Sequence, residues 1–361
     1  MKEIISDRQG LALAILFMFG ESSILVAGLT AQKDLWLAII LSILMALPLM
    51  FIYIGLFNSM PGKNLFDMIE FCFGKWIGKG IILLYAWYAF DLTSLVLRDF
   101  GQFVKTVSLH ETPLIIPMIG LILLCTWAVK EGIEVLGRWG EVMFLIPIAL
   151  TFVAVLLLIP TMNINHLRPT LYNGVRPVFE GAYEVFIYPF GELVIFTTLF
   201  SVLKNKRSAY ITFILGLLIG GLLILTISVS IVLVLGVEPI LGTYFPTYNT
   251  IAQVNIANAL QRIEIVSAII FLLGGFVKVS VYLIATCKGV VRVFGLKESR
   301  FIVVPISLLV INLTYFHFDN IMSFNEWIFD VWIYYAFLFM VIIPIMLLII
   351  VKIKKKSLNK R

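Results

Sequence analysis

The sequence predicts an all-α polytopic membrane protein with ten transmembrane helices. Of its 361 residues, 61% are hydrophobic and only 13% are charged, whereas soluble proteins are about 45–50% apolar and about 25% charged. Apolar stretches that approach or exceed the roughly 20 residues needed to cross a bilayer recur along the whole chain. Two of these stretches carry the same tripeptide at their centres, Phe19-Gly20-Glu21 and Phe190-Gly191-Glu192, about half the chain apart.

Short segments rich in turn formers and charges, such as Pro61-Gly62-Lys63-Asn64, separate the predicted spans. In chain order the spans are 9–31, 35–58, 79–106, 113–130, 139–160, 180–203, 209–236, 257–290, 301–318 and 328–352.

Three of the first five spans carry features that bear on function. Span 1 follows a polar start without a small-residue cleavage site, so we expect it to be retained, and its centre continues as Ser22-Ser23. Span 3 carries Asp91, Arg98 and Asp99, and we expect Asp91 and Arg98 to pair because they share a helix face. Span 5 has no charge from Val142 to Ile159.

In the second half, span 6 reads Tyr188-Pro189-Phe190-Gly191-Glu192, where Pro189 lacks a backbone donor and weakens the helix. Span 7 carries Gly216 and Gly220 at the spacing of the small-residue packing motif. Span 8 has Lys278 in its cytoplasmic half, and Arg262 with Glu264 is predicted as a paired cap at its outer end. Span 10 runs into a basic tail, 352–361.

Lysines and arginines predict the orientation. Of the 27, three lie within spans, and only four lie on the side opposite to the N-terminus: Lys33, Lys105, Arg168 and Arg176. The positive-inside rule then places both termini in the cytoplasm, and the basic tail also suits an anionic inner leaflet.

Ten spans divide into two sets of five. Because five is odd, a second set built like the first inserts upside down, which predicts inverted repeats at about 1–160 and 180–352 within a single transmembrane domain, 1–361. Spans 1 and 6 are then equivalent, and paired interruptions in corresponding helices are typical of a transporter binding site.

The two interruptions predict a pocket for a zwitterion such as an amino acid. A helix starting near Glu21 directs its positive end at the midplane, where it suits a carboxylate, and the Ser22 and Ser23 hydroxyls add donors. Freed carbonyls and the carboxylates of Glu21 and Glu192 suit an ammonium group. The alternative is that Gly20 and Gly191 are packing residues and that basic groups neutralise the glutamates.

Lys278 has three interpretations that the sequence leaves open. It neutralises Glu21 or Glu192, it occupies the position that sodium has in sodium-coupled transporters, or its side chain extends toward the inner membrane surface. A charge at the membrane centre costs at least about 2.5 kcal/mol, so such residues are functional candidates.

Several function classes are disfavoured. The three histidines and three cysteines are scattered without catalytic or metal spacing, so we expect no enzyme, no cofactor and no metal site. The net charge of +6 lies mostly at the predicted inner surface, and we expect the lipid bilayer rather than nucleic acid as a partner.

The chain resembles the B subunit of GerA-type nutrient germinant receptors, the spore germination permeases. The resemblance rests on Ser6-Asp7-Arg8-Gln9, Phe19-Gly20-Glu21 and Tyr188-Pro189-Phe190-Gly191-Glu192 and covers essentially the whole chain. It implies the LeuT-type fold of the amino acid–polyamine–organocation superfamily, with broken helices 1 and 6. It also implies the inner membrane of an endospore former, a small nutrient ligand, an A subunit and a lipoprotein C subunit.

Carried over by position, the ligand site falls on the two interrupted spans, with span 3 and span 8 completing its walls. The residues are Gly20, Glu21, Ser22, Ser23, Tyr85, Phe190, Gly191, Glu192 and Lys278.

These observations predict a receptor subunit that binds a small germinant, an amino acid, and signals germination through its partners. The alternative is an amino acid permease, proton-coupled or facilitative. Many proton-coupled relatives carry a lysine in span 5, and its absence here favours a sensor. A third possibility is a scaffold with a closed pocket, in which Lys278 and Arg98 neutralise Glu21 and Glu192.

Overall fold

The computed structural model describes residues 3–252, 265–318 and 321–358. In these residues the protein is built from α-helices, and the one strand-like feature is an isolated parallel bridge between Ile5 and Leu203. The α-helices are α1 (Asp7–Ser22), α2 (Leu35–Ser59), α3 (Leu65–Val107), α4 (Ile115–Glu131), α5 (Ile133–Met143), α6 (Leu145–Leu158), α7 (Arg176–Val185), α8 (Lys206–Tyr210), α9 (Gly216–Leu235), α10 (Val237–Leu241), α11 (Pro246–Ala252), α12 (Ile265–Phe294), α13 (Val303–Phe316), α14 (Ile321–Trp327), α15 (Ile333–Phe337) and α16 (Ile343–Leu358).

Tighter and wider helical turns join several of these helices into longer rods. The 3₁₀ segments are Leu29–Asp34, Ile159–Thr161, Ile164–Leu167 and Gly191–Val202, and the π segments are Phe186–Phe190, Ile211–Leu215, Ile328–Trp332 and Leu338–Ile342.

Seven helical rods in the described residues are long and apolar enough to cross a membrane. They are Leu29–Ser59, Leu65–Val107, Ile133–Thr161, Arg176–Val202, Lys206–Leu235, Ile265–Phe294 and Asp330–Ser357. The other three predicted spans correspond to α1, α4 and α13, which have only 16, 17 and 14 residues. Each is shorter than the roughly 20 residues that a straight crossing takes.

The centre of the molecule is formed by α1 and by the rod Arg176–Val202, whose apolar stretch is 89% buried against 22% for the peripheral rod Ile133–Thr161. Both central elements pack against α12, which also packs against α3. Glu21 and Glu192, which lie on these two elements, therefore face protein rather than lipid.

Hydrogen bonds hold the N-terminal segment against the helix bundle, at the end of the bundle opposite to the one that contains Thr30. The Ile5 amide donates to the Val202 carbonyl at 2.9 Å, and the Ser208 hydroxyl donates to Asp7 at 2.5 Å. Ser6 caps α1 in a reciprocal capping box with Gln9.

The predicted pairing of Asp91 with Arg98 is wrong. The Arg98 guanidinium instead donates to the carbonyls of Thr314 and Phe318, each at 3.0 Å, because these free acceptors at the end of α13 lie within its reach. Asp91 Oδ1 lies 4.0 Å from His317 Nδ1. The predicted cap formed by Arg262 and Glu264 lies outside the described residues.

Candidate functional site

Three side chains from three helical elements form a buried ionic cluster. Lys278 Nζ lies 2.5 Å from Glu21 Oε2 and 2.7 Å from Glu192 Oε2. Lys278 is fully buried, and the two glutamates are 4% and 1% exposed. The lysine therefore pairs with both glutamates, and its one positive charge offsets part of their negative charge, which would otherwise be costly to bury in the membrane.

A backbone-to-backbone crossing of α1 and α12 places this cluster. A Cβ added to Gly20 would lie 2.3 Å from the Gly274 Cα, and one added to Gly274 would lie 2.0 Å from the Gly20 Cα. Glu21 follows Gly20 directly, and Lys278 lies one helical turn beyond Gly274, on the same face. Two glycines thus bring a carboxylate and an ammonium group into contact.

Irregular backbone determines the position of Glu192, the third member of the cluster. Tyr188 leaves helical geometry (φ −124°, ψ 115°) and the chain continues from Gly191 as a 3₁₀ helix. The Tyr53 hydroxyl lies 3.3 Å from the Gly191 carbonyl oxygen and 2.7 Å from that of Met340. Irregular backbone at this depth needs such partners, because no bulk water reaches it.

Aromatic rings surround the ammonium group of Lys278. Its Nζ lies 4.4 Å from the ring centroid of Tyr188 and 5.6 Å from that of Phe17. Rings at such distances attract a cation through their electron-rich faces. They therefore stabilise the ammonium group on the sides that do not face the two carboxylates.

A cavity of about 730 Å³ ends on this cluster. Its floor contains the carboxyl groups of Glu21, Asp99 and Glu192, and its mouth includes the exposed residues Thr30 and Gly242. The walls are largely apolar and include Leu25, Val26, Leu92, Leu95, Val96, Ile240, Ile328 and Ile333. This volume lies in the 300–1,000 Å³ range of small-molecule sites.

Three polar groups that can donate a hydrogen bond are buried in the cavity lining without a partner in the described part of the chain: the hydroxyls of Ser22 and Tyr188 and the indole N–H of Trp332. Ser22 and Trp332 are each 2% exposed, whereas Tyr188 is half-buried. Buried polar groups are nearly always hydrogen-bonded. A ligand that accepts hydrogen bonds would supply the missing partners.

The predicted site residues fall into two groups. Glu21, Ser22 and Glu192 line the cavity, and Lys278 lies directly behind the two glutamates. The others pack around this centre without lining the cavity: Gly20, Ser23, Tyr85, Phe190 and Gly191. The Ser23 hydroxyl donates to the Gly20 carbonyl at 2.6 Å, and the Tyr85 hydroxyl donates to the Phe339 carbonyl at 2.6 Å.

Sequence reasoning missed Asp99, Tyr188 and Trp332 as cavity residues. Asp99 carried a signal, since it is a charge within a predicted span, but its neighbours Asp91 and Arg98 suggested a structural group. Tyr188 belongs to the motif of span 6, which by itself does not indicate that its side chain lines a cavity. Trp332 lies in the π segment Ile328–Trp332, and nothing in its local sequence distinguishes it from other tryptophans.

Known proteins resemble this chain over most of its length. The family described as spore germination protein matches residues 4–321. Spore germination protein KB of Bacillus subtilis is 31% identical over 364 aligned positions, covering 99% of this chain and 97% of that protein. Spore germination protein A2 of the same organism is 25% identical and covers 98% of this chain and 96% of its own length.

A solved structure shares the fold. Mhp1, a nucleobase-cation-symport-1 family transporter in a closed conformation with bromovinylhydantoin bound, superposes with a TM-score of 0.63 at 13% identity. The match covers 88% of this chain and 74% of the transporter. The chain therefore shares the fold of this transporter, and its long apolar rods make it an integral membrane protein. By its sequence, this chain belongs to the spore germination protein family.

Proposed function

We propose that this chain is the membrane subunit of a spore nutrient germinant receptor, and that it binds a small germinant at the floor of the cavity. The observation that carries the proposal is the cavity itself, which runs from an exposed mouth to Glu21 and Glu192, with Lys278 directly behind them. Membership of the spore germination family supports the receptor role.

The germinant we propose is an amino acid. Its ammonium group would be attracted by the carboxylates at the floor, and its carboxylate would accept hydrogen bonds from the unpartnered donors of Ser22 and Trp332. The apolar walls favour a small or apolar side chain. A surplus of carboxylates on the cavity floor would by itself suit any amine, so the unpartnered donors of Ser22 and Trp332 are what favour a zwitterion.

The fold we propose has ten membrane crossings in two inverted repeats of five, within one domain. Interrupted helices 1 and 6 are supported by the end of α1 at Ser22 and by the non-helical backbone of Tyr188. The short α1, α4 and α13 cross the membrane with their flanking segments. The termini are cytoplasmic and the membrane is the spore inner membrane.

Signalling then requires two shapes with different affinity for the germinant. Closure of the cavity over the amino acid would stabilise one shape, which the A subunit and the lipoprotein C subunit read. The ligand can shift this equilibrium only by its difference in affinity between the two shapes.

Binding of a labelled amino acid panel to the full chain in sealed vesicles tests this proposal. We expect saturable binding that Glu192→Gln weakens about tenfold or more, because the substitution removes a charge on the cavity floor. The matched control is Glu180→Gln, which alters a half-exposed carboxylate paired with Arg176 outside the cavity. Equal binding by all three proteins would overturn the assignment of the site.

An amino acid permease is the second candidate, and the similarity to a transporter of known structure favours it. The same vesicles distinguish the two functions. Accumulation of the label inside the vesicles, above the amount bound at saturation, identifies a permease. Saturable binding without accumulation identifies a receptor subunit that requires partners.

A further inference from the structure

The ammonium group of Lys278 lies beside the cavity without lining it. Glu21, Tyr188 and Glu192 belong to the described lining of the cavity, and each of them contacts this ammonium group. Lys278 itself is not among the lining residues and is 0% exposed. A molecule in the cavity therefore meets the two carboxylates and the tyrosine, and the positive charge of Lys278 lies behind them.

Of the two aromatic rings that contact the ammonium group, only that of Tyr188 belongs to a residue of the cavity lining. Its centroid lies 4.4 Å from Lys278 Nζ, which is a close cation–π contact. The centroid of Phe17 lies 5.6 Å from the same atom, and Phe17 is fully buried outside the lining. Tyr188 is therefore the ring that can separate the ammonium group from a molecule in the cavity.

The position of the Tyr188 ring depends on its backbone and on one neighbouring ring. The backbone leaves helical geometry at this residue (φ −124°, ψ 115°). The ring packs edge-to-face against the indole of Trp332, with centroids 6.4 Å apart and an interplanar angle of 77°. Trp332 is 2% exposed and also lines the cavity. The Tyr188 ring thus contacts the ammonium group and a buried tryptophan at the same time.

An aromatic ring acts in opposite ways on cations and anions. Its face carries partial negative charge, so it attracts the ammonium group that it covers and repels a carboxylate that approaches the face. The ring also keeps a carboxylate in the cavity farther from Nζ than the roughly 2.7–2.9 Å of a charge-assisted hydrogen bond. Lys278 can therefore pair with Glu21 and Glu192 without attracting an anion to the cavity floor.

We propose that Tyr188 determines specificity, because its ring screens Lys278 and makes the cavity floor accept an ammonium group and reject a carboxylate. An amino acid then has one favoured orientation, with its ammonium group toward Glu21 and Glu192 and its carboxylate toward Ser22 and Trp332. This orientation rests on the proposed amino acid site, whereas the screening of Lys278 does not.

Binding of sodium propionate to the purified full chain tests the screening. Propionate carries a carboxylate and no ammonium group, and propionamide has a similar shape without the charge. Each compound is titrated at a constant sodium concentration while thermal unfolding is measured, because a ligand that binds the folded protein raises its unfolding temperature. In the wild type we expect no preference for propionate over propionamide.

Tyr188→Ala should bind propionate about tenfold or more tightly than the wild type does, because the uncovered ammonium group can donate a hydrogen bond to the carboxylate. The affinity for propionamide should change much less. Tyr188→Val also removes the ring and provides a second variant if Tyr188→Ala fails to fold.

Two further variants separate the ring from other causes. Tyr188→Phe keeps the ring and lacks the hydroxyl group, so it should behave like the wild type toward propionate. Phe324→Ala enlarges the cavity at another buried aromatic residue of the lining, which packs against Phe318 instead of Lys278. It should show no preference for propionate over propionamide.

Propionate binding that is no tighter in Tyr188→Ala or Tyr188→Val than in the wild type would overturn the proposal. An equal gain in Phe324→Ala would attribute the effect to cavity size, and an equal gain in Tyr188→Phe would attribute it to the hydroxyl group. Either result would also contradict screening by the ring. No amino acid is used, so these outcomes are independent of whether the amino acid panel binds.

Discussion

Lys278 makes ion pairs with glutamates on two different helical elements. It is fully buried and pairs with Glu21 on α1 and with Glu192 on the rod Arg176–Val202. Removing one partner of a buried ion pair leaves a charge uncompensated, which costs about 3–5 kcal/mol, far more than the loss of an exposed pair. The cluster therefore contributes to the position of both elements as well as to the floor of the cavity.

Substitution of Lys278 by methionine is predicted to lower the thermal stability of the purified protein strongly, by about 3–5 kcal/mol. Two glutamates would lose their shared partner. Adding Glu21→Gln and Glu192→Gln to the same variant should recover much of the loss, because the remaining groups are then neutral. Thermal unfolding in detergent measures both effects.

The exposed Lys204 provides the control, since Lys204→Met changes charge by the same amount at the surface and should leave unfolding unchanged. A triple variant as unstable as Lys278→Met alone would show that the lysine acts through packing and not through its charge.

For individual residues, the sequence predicts the members of the ionic cluster but not the shape of the cavity. Glu21, Glu192 and Lys278 are conspicuous because charges within apolar spans are rare. Their mutual contact depends on how α1 and α12 cross, which local sequence does not specify. Trp332 lines the cavity from the end of the π segment Ile328–Trp332, and the sequence carries no clear signal for such a turn.

At the scale of the helices, the crossing of α1 and α12 positions the site. The sequence allows Gly20 to be part of a helix interruption or a packing residue, and the structure packs it against Gly274. α1 also ends two residues later, at Ser22. The stretch from Gly20 to Ser22 therefore both packs against α12 and ends helix α1.

Gly274→Ala is predicted to destabilise the fold, whereas Gly275→Ala is predicted to be neutral or slightly stabilising. A methyl group at Gly274 would meet the Gly20 backbone at 2.0 Å, and a backbone cannot rotate aside as a side chain can. Overpacking costs about 1–3 kcal/mol, while alanine gains up to about 1 kcal/mol in helix propensity. The steric cost therefore dominates at Gly274.

At Gly275 no atom lies within 4 Å of the added methyl group, so only the propensity gain remains. Size-exclusion profiles after a series of heating steps compare the two variants. Equal profiles for Gly274→Ala and Gly275→Ala would contradict the close crossing of α1 and α12.

The sequence predicts most element positions because apolar length and turn residues mark them. It fails for the end of α1, which stops at Ser22 although the predicted span continues to residue 31, and α13 is also shorter than its predicted span, since hydropathy does not report where a helix stops. It also fails for Arg98, because the carbonyls of Thr314 and Phe318 belong to an element more than two hundred residues away in sequence.

For the molecule as a whole, the basic residues predict cytoplasmic termini, and a labelling experiment can test this. The described cysteines Cys72, Cys125 and Cys287 are buried, so a membrane-impermeant maleimide should leave the wild type unlabelled. Thr170→Cys and Lys63→Cys each add an exposed thiol on opposite predicted sides.

We expect intact cells to be labelled at position 170 and not at position 63, which should react only after the membrane is permeabilised. The reverse pattern would show that the chain is inserted with its termini outside. Labelling at both positions in intact cells would mean that the two segments lie on the same side.

The attachment of the N-terminal segment also has a consequence for biosynthesis. Ile5 finds its partner at Val202, and Gly20 finds its partner at Gly274. At about 5–20 residues per second, the ribosome needs on the order of ten seconds or longer to make the intervening chain. Helix α1 can pack against α5 and α9 earlier, but it carries Glu21 without its lysine until α12 has been made.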